Sequence, residues 1–502
     1  MACASLLVLG CPQRHPKPEA KPGREVATAA PEPAPLPRAS IDLPPVDVPS
    51  DLTWIGIGGG SDPLSNQISL AQDLELAQRL MAGRALTLFG SGALAQVAIE
   101  APPPRAHPPN LRTELARLFQ PVPLHTRYEP ARLHVDGPAT SHQALHVLER
   151  TLARAVAPLF VYVTAHGEQG HAPRDNALSL WGGFPLQVTD LAALLDQESA
   201  QRPARFVITS CFGGGFADLI FRNADPREGL RSTAHCGLFA APWNDEASGC
   251  DPNPDRRGQE SYGIHLLHAL SGKDRQQRNR LSEIDIDGDQ RIGLLEAHTW
   301  ARMHATSFDL PTTTSERYLR EVITSHEKAE LDPRSAPEEV VVIKHLGETL
   351  ELRDEAAARN KLAEIDDIMQ ELSEIVERAQ QAEDDAFYAL RIALLERFPL
   401  LEHPFEARTQ AMLEANGASI LRLLTESELS EAHAQTSREL EEAMAQHDGA
   451  RVERARVARL LRAYETLRLS SVLSRRGGKQ LEQYRALRAC ESFAPALRPR
   501  AP

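Results

Sequence analysis

The chain has 502 residues, 42% of them hydrophobic, which is too long for one compact core and leads to an expectation of two domains. A formal net charge of −14 excludes a general binder of the nucleic-acid backbone, because such binding depends on cationic side chains. No uninterrupted apolar run is long enough to span a bilayer.

Residues 1–11 end in Leu-Val-Leu-Gly-Cys11, which resembles a bacterial lipobox with Cys11 as the lipidated residue. No Lys or Arg precedes the apolar part, so a full signal would start upstream of Met1. This reading expects export to the bacterial cell envelope and a lipid anchor in the periplasm or outer membrane. A chance apolar start on a cytoplasmic protein is the other reading. Residues 12–50 are rich in proline and charge and are expected to form a disordered tether.

Asp51–Gly58 reads as a strand, Gly59–Asn66 as a turn cluster, Ser69–Met81 as a helix and Ala85–Gly92 as a second strand. Proline-rich loops follow around Pro102–Pro109 and Pro121. Ser141–Val156 is an amphipathic helix that leads into the apolar run Pro158–Ala165, which ends on His166-Gly167. Val188–Leu195 starts another helix. Phe206–Ser210 is a buried strand ending on Cys211, and Gly213-Gly214-Gly215 leads into a helical stretch through Phe221. Gly237–Ala241 reads as a strand and Tyr262–Leu270 as a helix. This alternation predicts a mostly parallel sheet with helices on both faces.

Two strands thus each deliver one half of a Cys/His pair at a carboxyl end, where open α/β sheets bind ligands. A cysteine nucleophile needs an imidazole within reach, and a helix N-terminus favours its thiolate. Cys236 and Cys250 are expected to pair as a disulfide in an exported protein.

Asp285, Asp287, Asp289, Arg291 and Glu296 stand at positions one, three, five, seven and twelve of an EF-hand-like calcium loop, with Ile292 at eight. Gln290 occupies the sixth position, where glycine is usual. Calcium there would be structural, and catalysis is expected to need no cofactor. The alternative is an acidic turn that caps the following helix. In the last third, Leu362, Ile365, Met369, Leu372 and Val376 alternate spacings of three and four, as in a coiled-coil seam. Pro399 and Pro404 break the pattern, and His447-Asp448-Gly449 reads as a turn before a last helix, Val452–Leu473. An antiparallel hairpin or small bundle is expected, packed on itself or against an unknown partner.

His166-Gly167, Cys211-Phe-Gly-Gly, Asn66 and Ala240–Cys250 together resemble the caspase–haemoglobinase fold of cysteine peptidases, and within it the legumain-like family. The resemblance covers roughly Asp51–His304. It implies a peptidase domain over residues 51–312, leaving 313–345 as a connector and 346–502 as the α-helical domain. It implies a cysteine endopeptidase acting through a Cys211 thioester, with His166 as base and acid. The backbone N–H groups of Gly167 and Cys211 would hold the oxyanion, and Asn66 would orient the imidazole. Thr209 replaces the family's acidic residue two positions before the nucleophile, and no basic residue accompanies Asn66, so asparagine specificity does not carry over. Glu246, Ser248 and Glu260 are the expected substrate contacts, with the two carboxylates and Asp245 making an acidic pocket for Arg or Lys. A transpeptidase that passes the acyl group to an amine, and an inactive scaffold that binds a partner through its helices, remain open alternatives.

Overall fold

The computed structural model describes residues 46–100, 110–119, 126–154, 157–324 and 330–498. Cys11, most of the proline-rich segment, and the loops around Pro102–Pro109 and Pro121 lie outside them.

The chain opens with β1 (Leu52–Gly59), α1 (Ile68–Leu80) and β2 (Arg84–Phe89). β3 (Gln96–Glu100) and β4 (Thr126–Pro130) form a separate antiparallel ribbon with α2 (Leu111–Phe119) between them in sequence. Only loops were expected there. Next come α3 (Ser141–Leu152), β5 (Leu159–Glu168), β6 (Ala177–Ser179), β7 (Leu186–Gln187), α4 (Val188–Leu195) and β8 (Ala204–Ile208). A 3-10 helix over Gly213–Ile220 precedes β9 (Cys236–Phe239), α5 (Tyr262–Leu270), α6 (Leu281–Ile284), α7 (Leu294–His304) and the two-residue β10 (Thr312–Thr313). The remainder is helical: α8 (Thr314–Val322), α9 (Pro337–Thr349), α10 (Glu355–Arg397), α11 (Ala407–Glu426), α12 (Glu428–Arg476) and α13 (Gly478–Glu491).

The main sheet runs β10-β9-β8-β5-β1-β2, with parallel pairs throughout except the antiparallel edge strand β10. Its strands are apolar on both faces because helices cover both. Leu74, Tyr162, Leu266 and Trp300 belong to one core layer, and Ile57, Val163, Phe206 and Phe216 to the other. This is the expected α/β architecture followed by an all-α region.

Within the expected connector, α8 and α9 each carry buried residues. Arg302 of α7 and Glu339 of α9, both buried, form a two-pronged ion pair at 2.8 and 2.7 Å. α10 and α12 pack as an antiparallel pair, as the ladder Glu355–Arg468, Lys361–Glu453 and Glu383–His433 requires. Asp354 and Ser427 cap their N-termini through Ala357 N and Ser430 N. The turn expected at His447–Gly449 does not form, and α12 runs through it for 49 residues. One glycine costs about 1 kcal/mol in a helix, less than long-range packing on α10 supplies.

The expected Cys236–Cys250 disulfide is also corrected. Cys236 pairs with Cys490, and Cys250 is a free thiol. Cys236 begins β9, whereas Cys250 lies in the loop beyond the strand's far end, so the strand itself separates them. α13 lies against β9 and brings Cys490 to its start. The adjacent Glu491 is fully buried and accepts hydrogen bonds from Thr314 Oγ1, Ser315 N and Ser315 Oγ, each 2.6 Å. Burial nevertheless pushes its pKa up to about 7. The folded chain therefore keeps a proton that the unfolded chain releases near 4.5. This contribution to stability is complete below 4.5 and lost as pH rises through 7. Glu491→Gln cannot ionise and keeps hydrogen-bonding capacity. Its melting temperature relative to the parent is expected to rise between about pH 5 and about pH 8, as thermal denaturation at each pH will read.

Candidate active site

Val163 of β5 lies opposite Ile208 of β8, and His166 and Cys211 each follow that pair by three residues. The parallel register therefore carries both to the same edge of the sheet. β5 continues to Glu168 by pairing with β6, with Gly167 opposite Leu178. Beyond β8 the chain turns sharply. Phe212 takes a left-handed conformation (φ 58°), which is costly for a residue with a Cβ, and the glycine-rich 3-10 helix begins at once. Gly167 packs directly on this turn. A Cβ there would overlap the carbonyl oxygen of Cys211. The position requires glycine for close approach and not for its own φ.

The imidazole of His166 is partly exposed. Its Nε2 lies 2.9 Å from the carbonyl oxygen of Ser65. A carbonyl can only accept, so Nε2 carries the proton, and in the neutral ring Nδ1 is the basic nitrogen. Asn66, expected to orient the imidazole, has other hydrogen-bond partners. The Asn66 amide is fully buried, accepting from Gly60 N at 3.0 Å and donating to the Gln96 carbonyl at 2.6 Å. It holds the turn after β1, and the backbone carbonyl preceding it meets the imidazole.

Cys211 exposes 3% of its surface. Ala247 N donates to its Sγ at 3.4 Å, and the Ala247 carbonyl is also 3.4 Å from Sγ. The loop carrying Ala247 thus covers the atom. That loop is anchored from below. Asp309, fully buried, accepts from Ser248 N (2.5 Å), Ser248 Oγ (2.7 Å), Tyr262 N (2.7 Å) and Ser307 Oγ (2.7 Å). Asn176 ties the site's other side together. Its Nδ2 donates to the carbonyls of Phe212 (2.9 Å) and Trp243 (2.6 Å), and its Oδ1 accepts from Gly170 N. Ser65, Asn176 and Asp309 were missed in the sequence, where each is an ordinary turn residue. Nothing in their spacing marks them.

Glu246 and Glu260, the expected pocket carboxylates, each have a cationic partner. Glu246 is paired with Arg451 of α12 at 3.1 Å. Glu260 is paired with His265 at 2.6 Å and with Arg275. Ser248 is committed to Asp309. Burial raises the Asp245 carboxyl above its usual range, and Thr209 Oγ1 donates to the Val163 carbonyl at 3.2 Å.

In the acidic loop, carboxylate oxygens of Asp285, Asp287 and Asp289 all lie within 4.8 Å of one another, a set able to hold a hard cation. Asp285 accepts from Gly288 N and Gln290 N, and Gln290 adopts the left-handed conformation (φ 66°) that glycine usually provides at that position. Arg291 is exposed, and its N–H donates to Asp289. Glu296 stands outside this cluster. Its carboxylate accepts from Ile286 N (2.7 Å) and Gly293 N (2.9 Å) and caps α7.

Comparison with models of known protein families finds none that matches the chain, and a search of curated proteins finds no match either. The fold and the side-chain geometry therefore carry the reading. Because the Gly167 contact is with backbone, which cannot rotate away, Gly167→Ala is expected to destabilise the chain by about 3 kcal/mol or more. Gly258→Ala, where an added Cβ meets nothing within 4 Å, is expected to stay within about 0.5 kcal/mol. Urea denaturation of the two variants checks the contrast.

Proposed function

We propose that the chain is a cysteine endopeptidase of the caspase–haemoglobinase type, with the legumain-like family as its nearest kin. The observation that carries this reading is the matched ending of two adjacent parallel strands on His166 and Cys211, with His166 Nε2 fixed on the Ser65 carbonyl. That tautomer makes Nδ1 the base. In the proposed reaction it removes the Cys211 proton, sulfur attacks the scissile carbonyl, and the C–N bond breaks as the same proton passes to the leaving amine. The N–H groups of Gly167 and Cys211 would face the oxyanion, an interaction worth about 3 kcal/mol for one donor. Water then cleaves the thioester. The Ala247 loop must shift for a substrate carbonyl to reach the covered sulfur.

Labelling with peptidyl acyloxymethyl ketones that differ at P1, read by intact mass, tests this. One adduct on Cys211 is expected at neutral pH, none in Cys211→Ala, and a labelling rate lowered by about 100-fold or more in His166→Ala. Alkylation of the parent only as slowly as an ordinary buried thiol would sink the proposal.

We further propose that Asp285, Asp287 and Asp289 bind calcium in a structural role. The left-handed Gln290 supports this, because it closes the loop as an EF-hand glycine does. Roughly millimolar calcium is expected to raise the melting temperature of the parent but not of Asp285→Asn. An equal rise in both would refute the assignment.

A further inference from the structure

A cavity of about 310 Å³ opens beside the nucleophile turn. Its lining includes Gly214, three residues after Cys211, together with Trp243 and Thr312. Arg317 and Arg320 of α8 and Arg462 of α12 also line it. Every charged residue lining the cavity is therefore cationic.

Two of the arginines have carboxylate partners. Arg317 donates to Asp218 at 2.6 Å and to Glu321 at 2.9 Å. Arg320 pairs with Glu465 at 3.1 Å and lies 3.6 Å from Glu316. None of these four carboxylates lines the cavity. Arg462 differs. Among the described residues it forms no ion pair, and its hydrogen bond goes to the Leu310 carbonyl at 3.3 Å. Burial, together with neighbouring Arg320, pushes its pKa down to about 10 against the opposing pull of Glu316, Glu465 and Asp245. Like charges converging on one concave space repel one another, and an entering anion relieves that cost. Guanidinium forks match the two oxygens of a carboxylate, and the indole of Trp243 gives an apolar wall for the stem that bears it.

The cavity is also tied to the reacting centre. Asn176 holds the Trp243 and Phe212 carbonyls together, so Trp243 and the turn after Cys211 are positioned by one side chain. Gly214 of that turn lines the cavity, so an occupant would lie beside the turn, while Cys211 itself is not part of the lining. We propose that this cavity is a subsite for a peptide carboxylate, so that the chain prefers acidic peptides. The assignment rests on the peptidase reading above, and it opposes the Arg or Lys preference that the sequence suggested.

The test uses the full chain carrying Cys211→Ala, so that binding is read without turnover. Three peptides are compared by calorimetry: acetyl-Ala-Glu-Ala-Ala-amide, its Gln counterpart, and that Gln peptide with a free C-terminal carboxylate. The Glu peptide is expected to bind about tenfold more tightly than the Gln amide. That advantage should shrink with added salt and vanish in Arg462→Met. A tenfold advantage of the free-carboxylate peptide alone, also abolished in Arg462→Met, would support the same site with the chain end as its source. Equal binding of all three, including no measurable binding at roughly millimolar peptide, would overturn the proposal. So would a carboxylate preference that survives both Arg462→Met and Arg317→Met. Arg317→Met also serves if Arg462→Met fails to fold. Failure of the peptidase reading would show separately, as the absence of a Cys211 adduct in the parent.

Discussion

The close approach of Gly167 to the carbonyl of Cys211 is the constraint on which the rest of the site depends. Two parallel strands in register bring their ends level, but side chains at those ends would normally hold the following loops apart. Here glycine lets the end of β5 lie directly on the turn that carries Cys211. That turn is itself bent by a left-handed Phe212, a conformation that persists only where the surroundings over-determine it. Asn176 supplies much of that determination, because it bonds the carbonyls of both Phe212 and Trp243.

The helical region is as much a part of this arrangement as the sheet. Arg459 of α12 exposes 1% of its surface and donates to the carbonyls of Asp309 (2.7 Å), Ala305 (2.6 Å) and Ser307 (2.6 Å). It thereby shapes the segment that carries the Asp309 carboxylate, and Asp309 in turn holds Ser248 beside the loop over Cys211. Burying a guanidinium is costly unless its N–H groups are satisfied, and backbone carbonyls satisfy them here. Arg451, one helix face away, lies 4.0 Å over the Phe308 ring and pairs with Glu246 in the same loop. α12 thus reaches the site through two arginines. The Cys236–Cys490 disulfide and Glu491 tie the end of the chain to β9 and to the start of α8.

The distribution of charge follows from these contacts. The carboxylates expected to form a pocket are spent on neighbouring arginines and a histidine, so they contribute structure. Arginines from α8 and α12 instead line a cavity where no carboxylate stands. Sequence position gives no warning of this, because Arg317 and Arg462 are 145 residues apart in two different helices.

Local pattern was enough to read the alternation of strands and helices, the mostly parallel sheet, the two strand ends bearing His166 and Cys211, the acidic loop and the helical last third. Each of these depends on periodicity or turn chemistry within about 15 residues. What the sequence could not determine were the partners. Cys236 finds Cys490 across 254 residues, His166 finds the carbonyl of Ser65, and Ser248 finds Asp309. The same limit explains the continuous α12, where a local turn signal at Gly449 yields to packing against α10. Backbone carbonyls have no sequence signature, and buried polar groups are matched by whatever the fold brings within hydrogen-bond distance. Only the tertiary structure, by closing those distances, decides which residues orient the imidazole, cover the thiol and line the cavity beside it.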